Sequence, residues 1–263
     1  MRFFSRSLSS TGLVIWLFSG IAAHAAPGAA EARPTAAGGA AWPSPVADDE
    51  RYSSVLLDLV EYQRVGSVDG VRWDAVGWWG GDWQRLWLKS EGTLYGGRDS
   101  GGQWDFQALY GKLISPFFDL QLGLRAEQHR EIEADPTRVF AVVGVQGLTP
   151  YRIEVEPALF LSNKGKLSGR LTASYDMLLT QRWILQSRFE MEAAAQRDTA
   201  FGVDSGVNDA ELGLRLRYEV RRELAPYAGL SYRRSLGAAR GRVLREGGDP
   251  NELQLVAGLR TWF

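Results

Sequence analysis

Apolar and polar residues alternate along most of the chain, most clearly in residues 147–182. Successive side chains point to opposite faces of a strand, so this alternation predicts strands with one apolar and one charged face. In the first arm the apolar parity is Tyr151, Ile153, Val155, Pro157, Leu159 and Leu161, opposite Arg152, Glu154, Glu156, Ala158, Phe160 and Ser162. After a predicted turn at 163–165, the second arm sets Leu167, Leu171, Ala173, Tyr175 and Met177 against Ser168, Arg170, Thr172, Ser174 and Asp176. Each arm has about ten residues, the length that a tilted strand needs to cross a bilayer.

The same alternation recurs from Ser54 to the last residue, Phe263. Besides the two arms, it predicts strands around residues 55–59, 71–75, 86–91, 104–110, 119–127, 139–145, 183–192, 210–219, 226–234 and 253–263. No convincing amphipathic helix lies among these roughly twelve segments, and regular short strands separated by turn residues predict an all-β sandwich or barrel.

The connections favour a transmembrane antiparallel β-barrel of about twelve strands, which is the predicted fold class. Every second connection is short, at 80–84, 114–117, 147–150, 180–182 and 221–225. The others are mostly longer, as at 128–137, 197–207 and 235–252. Short periplasmic turns, longer external loops and an even strand number are typical of outer-membrane barrels.

Aromatic residues support the same fold, because Trp and Tyr favour the level of the lipid headgroups. Those near the short turns are Trp79, Trp83, Phe117, Phe118, Tyr151, Trp183, Tyr227 and Phe263. The alternative is that these rings cap a soluble core. The chain also ends on a strand with a terminal aromatic, Phe263, which resembles the targeting signature of outer-membrane barrels.

The polar faces are expected to line the barrel interior, because an Arg on the lipid face at the bilayer midplane costs ~2–4 kcal/mol. These faces carry Arg85, Arg125, Arg152, Arg170, Arg188, Arg215 and Arg217, interleaved with Glu91, Asp105, Glu127, Glu154, Glu156, Asp176, Glu190, Glu192, Glu211 and Glu219. Such mixed charge predicts a narrow, cross-linked lumen rather than an open pore. A structural role for the pairs and an ion path through them are both open.

The N-terminus predicts export. Arg2 and Arg6, an apolar stretch at 11–21 and Ala23-His24-Ala25 together indicate a signal peptide over residues 1–25 of a Gram-negative type cell. Residues 26–53 are rich in Ala, Pro and Gly and predict a disordered linker, which leaves 54–263 for the barrel. The absence of cysteine excludes a disulfide-stapled fold. The net charge of −1 gives no indication of a nucleic-acid partner.

Several long strings resemble the outer-membrane copper-resistance protein B family. They lie at residues 55–58, 80–92, 114–121, 144–151, 176–182, 211–219 and 222–227, in the same order along the chain. The resemblance implies a protein of the cell outer membrane, in contact with its lipid, that contributes to copper resistance by copper binding, sequestration or efflux. Members often carry a Met- and His-rich segment ahead of the barrel, whose soft ligands suit copper. Here that region has no Met, and the mature chain keeps only His129, Met177 and Met191.

Candidate metal ligands are therefore few. His129 is expected in an external loop with Glu127, Glu131, Glu133 and Asp135, a weak candidate cation site for which a solvated acidic loop is the simpler explanation. Both methionines fall on the lipid-facing parity, where packing explains them. No catalytic or cofactor-binding residue is assigned, and copper, weakly bound at most, is the only cofactor that the resemblance implies.

Three functions stay open at this point. The first is a non-enzymatic copper-resistance barrel, which handles copper ions itself or partners a periplasmic copper oxidase. The second is a lipid hydrolase, which needs a nucleophile within reach of His129. The third is a general porin or structural barrel without a role for copper.

Overall fold

The computed structural model describes residues 50–65, 68–96, 101–130 and 137–263. The predicted signal peptide, and the predicted linker up to residue 49, lie outside these ranges. The strands are β1 (Tyr52–Val65), β2 (Val68–Gly80), β3 (Gln84–Tyr95), β4 (Gly102–Ser115), β5 (Phe118–His129), β6 (Thr137–Leu148), β7 (Ile153–Ser162), β8 (Leu167–Leu178), β9 (Trp183–Ala194), β10 (Gly206–Tyr218), β11 (Leu224–Ser235) and β12 (Asn251–Trp262).

The twelve strands form one closed antiparallel barrel. Each strand pairs with its neighbours in sequence, and β1 closes the ring by pairing with β12, for example Leu56 opposite Trp262. Closure leaves no unpaired edge, which is the condition for a β-structure to span a bilayer. The predicted fold class and strand number are confirmed. β1 begins at Tyr52, two residues before the predicted start of the barrel.

The two ends of the barrel differ. One, the short-turn end, has the connections 81–83, 116–117, 149–152, 179–182 and 219–223. The other, the loop end, carries the segments 195–205 and 236–250, although the β7–β8 connection there has only residues 163–166. The last loop contains a nine-residue helix, α1 (Gly237–Arg245), which the alternation did not predict. Nowhere in the described part of the chain is a helix long and apolar enough to cross a membrane.

Polar side chains line most of the barrel interior and apolar side chains cover its outside, although Leu109, Phe140, Val142 and Phe160 are buried inside. Leu122 and Leu214 each expose 45% of their surface on the outer face. Arg215, Gln121 and Glu61 are instead among the most deeply buried side chains. The prediction that the charged faces line the interior is confirmed for the strands. Arg152 lies in a 3-10 turn at Pro150–Arg152 that also includes Tyr151, so β7 begins only at Ile153, but Arg152 still lines the lumen.

A β-bulge interrupts β1. Leu57 lies opposite Ala75 and Leu59 opposite Asp74, so Asp58 is an extra residue in the ladder. Leu59 therefore points inward and is fully buried, which corrects its predicted place on the apolar face with Leu57. Without the bulge, Glu61 would share the parity of Leu57 and face lipid.

Most of the predicted aromatic residues lie exposed near the short-turn end, namely Trp79, Trp83, Phe117, Tyr151, Trp183 and Phe263. Tyr227 was predicted among them, and this is wrong. Its side chain is buried in the lumen, where its hydroxyl donates to a Glu61 carboxylate oxygen at 3.2 Å. The parity of β11 decides this, because Tyr227 alternates with the outward-facing Pro226 and Ala228.

Candidate functional site in the barrel lumen

His129 is the last residue of β5 and faces the lumen, so its predicted place in an external loop is wrong. Its Nε2 contacts Glu127 Oε1, and its ring packs edge-on against Phe201 with the centroids 5.2 Å apart. Arg138 also donates to Glu127, at 2.5 Å. Of the acidic cluster predicted around His129, only Glu127 lies beside it here. Glu131, Glu133 and Asp135 lie outside the described residues.

A cavity of about 290 Å³ occupies the half of the lumen near the loop end, and His129 and Glu127 line it. We call it the loop-side cavity. Each arginine or lysine that lines it forms an ion pair with a carboxylate; these cations are Arg72, Arg125, Arg138, Lys166, Arg170, Arg233 and Arg242. The positive charge of this cavity is therefore already compensated.

Two carboxylates of the loop-side cavity have no such partner. Glu192 on β9 and Asp209 on β10 lie directly opposite each other across the two strands, and both line the cavity. Within the described residues, neither carboxylate forms an ion pair or accepts a side-chain hydrogen bond. These two acids are therefore the groups of this cavity that remain available to a mobile cation.

A second cavity of about 480 Å³, the short-turn-side cavity, lies in the other half of the lumen. Arg188 bridges two acids there, donating to Asp74 at 2.8 Å and to Asp58 at 3.3 Å. Arg260 also donates to Asp58, at 2.7 Å. Asp58 thus holds β1 to both β9 and β12. The bulge gives β1 this additional inward-facing carboxylate.

The most deeply buried ion pair is a structural cross-link. Arg215 on β10 donates from Nε and Nη2 to the two carboxylate oxygens of Glu61 on β1, at 3.0 and 3.1 Å. Both side chains are about 1% exposed, and β11 and β12 separate their strands. Tyr227 completes the group opposite Gly258, where a Cβ would lie only 2.7 Å from the Tyr227 hydroxyl. Pairs of this kind confirm the predicted cross-linking of the lumen.

A preformed metal centre is not found. In the described part of the chain, no group of three or more His, Cys, Asp or Glu side chains is arranged to hold a metal ion. The methionines face outward, as predicted; Met177 exposes 41% of its surface on the outer face of β8. Copper ligation by sulfur inside the lumen therefore has no support in these residues.

The comparison with protein families decides the identity. The family model described as copper resistance protein B precursor matches residues 51–263. This chain belongs to the copper resistance protein B family. It is 41% identical to copper resistance protein B of Escherichia coli over 209 residues, which are 80% of this chain and 69% of the relative. It is 34% identical to the copper resistance protein B homolog of Pseudomonas syringae pv. tomato over 218 residues, 83% of this chain and 72% of the relative.

Family membership and fold agree on location and broad role. The NanC porin is similar in structure, with a TM-score of 0.50 and 10% sequence identity, over 80% of this chain and 99% of that one. At that identity the likeness shows the fold alone. A copper resistance protein B with a closed barrel of this kind resides in the cell outer membrane, in contact with lipid, and contributes to copper resistance. The predicted family and location are confirmed.

Sequence reasoning missed the feature that distinguishes the loop-side cavity. Alternation placed Glu190, Glu192 and Glu211 inside, but it could not show which carboxylates lack a cation. That depends on the register between β9 and β10, which sets Glu192 opposite Asp209. The register also contains an irregularity between Val207 and Asp209, so counting residues along β10 alone does not reveal the pairing.

Proposed function

We propose that this barrel contributes to copper resistance by binding copper ions weakly within the loop-side cavity, with Glu192 and Asp209 as the attracting carboxylates. One observation carries the proposal: every cation that lines the cavity is paired, whereas these two acids are not. Copper ions are cations, and a cavity that holds two unpaired carboxylates attracts them from either end of the barrel.

His129 adds a ligand type that suits copper. Imidazole and carboxylate groups both bind divalent copper, and His129 lines the same cavity as the two acids. Its contact with Glu127 uses Nε2, so Nδ1 remains for an incoming ion. The set contains no thiolate or thioether, which supports weak binding rather than tight sequestration.

The growth experiment compares a deletion strain carrying the wild-type chain, the variant Glu192→Gln with Asp209→Asn, or no copy. We expect the deletion to lower the copper concentration that stops growth, and the double variant to restore tolerance only in part. A matched control, Glu219→Gln with Glu223→Gln, also removes two carboxylates but lies between β10 and β11 at the short-turn end. It should restore tolerance fully. Unchanged growth of the deletion strain across a copper series would contradict the role in copper handling.

Calorimetry of the refolded barrel tests binding directly, with and without residues 26–50. We expect weak copper binding that does not depend on residues 26–50 and that falls about tenfold or more in the double variant, which corresponds to about 1.4 kcal/mol. The alternative route, in which a periplasmic copper oxidase handles the metal, predicts copper-sensitive deletion strains and a barrel without copper affinity. The porin alternative predicts neither effect.

A further inference from the structure

Several salt bridges cross the lumen, among them Arg72–Glu190 and Arg188–Asp74, and one of them lies between the two cavities. Arg170 on β8 donates from Nη1 to Glu91 Oε1 on β3. Four strands separate β3 from β8 in one direction around the barrel and six in the other, so the pair joins nearly opposite walls. Of the described residues, only Glu91 and Arg170 line both the loop-side and the short-turn-side cavity. The pair therefore forms the wall that the two cavities share.

We propose that the two cavities form one cation path through the barrel and that the Glu91–Arg170 salt bridge is its gate. This proposal extends the proposed function, and it rests on that function only in taking copper as the ion that uses the path. Its existence can be tested with potassium and chloride alone. Charged side chains that line a pore set which ions pass through it.

The position of Glu192 gives the gate a second stable state. Glu192 lies directly opposite Arg170 in the β8–β9 ladder, and it has no cationic partner within the described residues. Arg170 can therefore exchange its partner across the lumen, Glu91, for one on the neighbouring strand. A side chain paired with Glu192 lies along the barrel wall rather than across the lumen, and a two-state element of this kind is what gating requires.

The exchange also moves a negative charge along the path. While Arg170 holds Glu91, the free carboxylates are Glu192 and Asp209 on the loop side. When Arg170 turns to Glu192, it displaces a cation from that side and releases Glu91, which borders both cavities. The total charge does not change, because one ion pair replaces another. A cation is thereby transferred from Glu192 to Glu91, and the same steps in reverse return it to Glu192.

Arg170→Ala tests the gate, with Arg125→Ala as the matched control. Both arginines line the loop-side cavity, and their side chains are similarly buried, 10% and 12% exposed. Arg125, however, pairs with Asp105 on the neighbouring strand β4 and with Glu127 on its own strand. Its loss should widen one cavity without joining the two.

The measurement is single-channel current of the purified full chain in planar bilayers with potassium chloride. We expect the wild type and Arg125→Ala to be nearly silent and Arg170→Ala to raise the mean current about tenfold or more, as the closed state loses its salt bridge. With a salt gradient across the bilayer, the reversal potential should have the sign expected of a cation-selective pore. Glu91→Gln, which keeps size and polarity, should give a smaller increase, and Glu91→Arg combined with Arg170→Glu should return the current towards the wild-type value.

Three results would overturn the gate: equal currents for Arg170→Ala and Arg125→Ala, a wild type that already conducts like an open pore, or a charge-swapped pair as conductive as Arg170→Ala. An anionic current in Arg170→Ala would overturn the cation path. Calorimetry with copper stands apart from these currents, so failed copper binding and a failed gate are distinguishable results.

Discussion

At the scale of single residues, ion pairs fill much of the barrel interior, beside one hydrophobic cluster of Trp87, Leu109, Phe140, Val142 and Phe160. Glu61 and Arg215 illustrate the energetics, because both charges are removed from water and Arg215 is the cation that pairs with Glu61. Breaking such a pair on one side is far more damaging than replacing both members, since the remaining charge stays buried without a partner. The lumenal charges are therefore interdependent, and single substitutions among them affect stability before function.

The variant Arg215→Ala should lower the free energy of unfolding by roughly 3–5 kcal/mol, because it leaves the Glu61 carboxylate buried and unpaired. Urea unfolding in lipid vesicles, followed by tryptophan fluorescence, measures this change. Arg64→Ala is the control: it breaks an exposed ion pair with Asp69 and should cost no more than ~1 kcal/mol. The double replacement Glu61→Gln with Arg215→Met should recover most of the loss. If Arg215→Ala and Arg64→Ala proved equally stable, the buried pair would not be a cross-link.

At the scale of elements, alternation predicts the strands well, because the bilayer outside and the charged lumen inside impose opposite polarity on neighbouring residues. It fails where the period of two is interrupted. The bulge at Asp58 changes the parity of β1, and a clue existed in the sequence: Glu61 and Gln63 fall on the apolar parity of Leu57. The placement of His129 and Tyr227 failed for a related reason, because the ends of strands and their registers depend on pairing partners rather than on local sequence.

The bulge leads to a prediction about deletions. Removing Asp58 leaves Leu57 facing outward and Leu59 inward, and so makes β1 regular without turning Glu61 to lipid. We expect this deletion to assemble in the outer membrane about as well as Asp58→Asn, which removes the charge but keeps the extra residue. Heat-modifiable mobility on gels distinguishes folded from unfolded barrel.

A deletion in a regular strand should behave differently. Around Leu124, β5 pairs with β4 and β6 without a shift, so deleting this residue turns either Asp119 and Gln121 or Arg125 and Glu127 towards lipid. Assembly should be largely lost. Equal loss in the Asp58 and Leu124 deletions would mean that the bulge is required for closure rather than for parity.

At the scale of the whole molecule, the barrel has a lipid-facing exterior and two lumenal cavities that meet at the Glu91–Arg170 salt bridge. The sequence alone predicts the exterior, since each strand has to present an apolar face of sufficient length. The division of the lumen cannot be predicted in that way, because Glu91 and Arg170 are 79 residues apart and meet only when the ring is closed. Closure by β1 and β12 also sets which walls face each other, so the candidate cation path is a property of the assembled barrel.

The exterior assignment can be tested by an arginine placed at two depths. Leu122 lies in the middle of β5 and Leu224 at the start of β11, and the two are similarly exposed on the outer face, 45% and 39%. An arginine costs ~2–4 kcal/mol at the bilayer midplane and about 0–1 kcal/mol near the interface. Leu122→Arg should therefore lower the free energy of unfolding in lipid vesicles by several-fold more than Leu224→Arg. In a soluble barrel both leucines would face water, and the two substitutions would have equally small effects. Because the two variants carry the same added charge, any difference between them reports the depth of the membrane around this barrel.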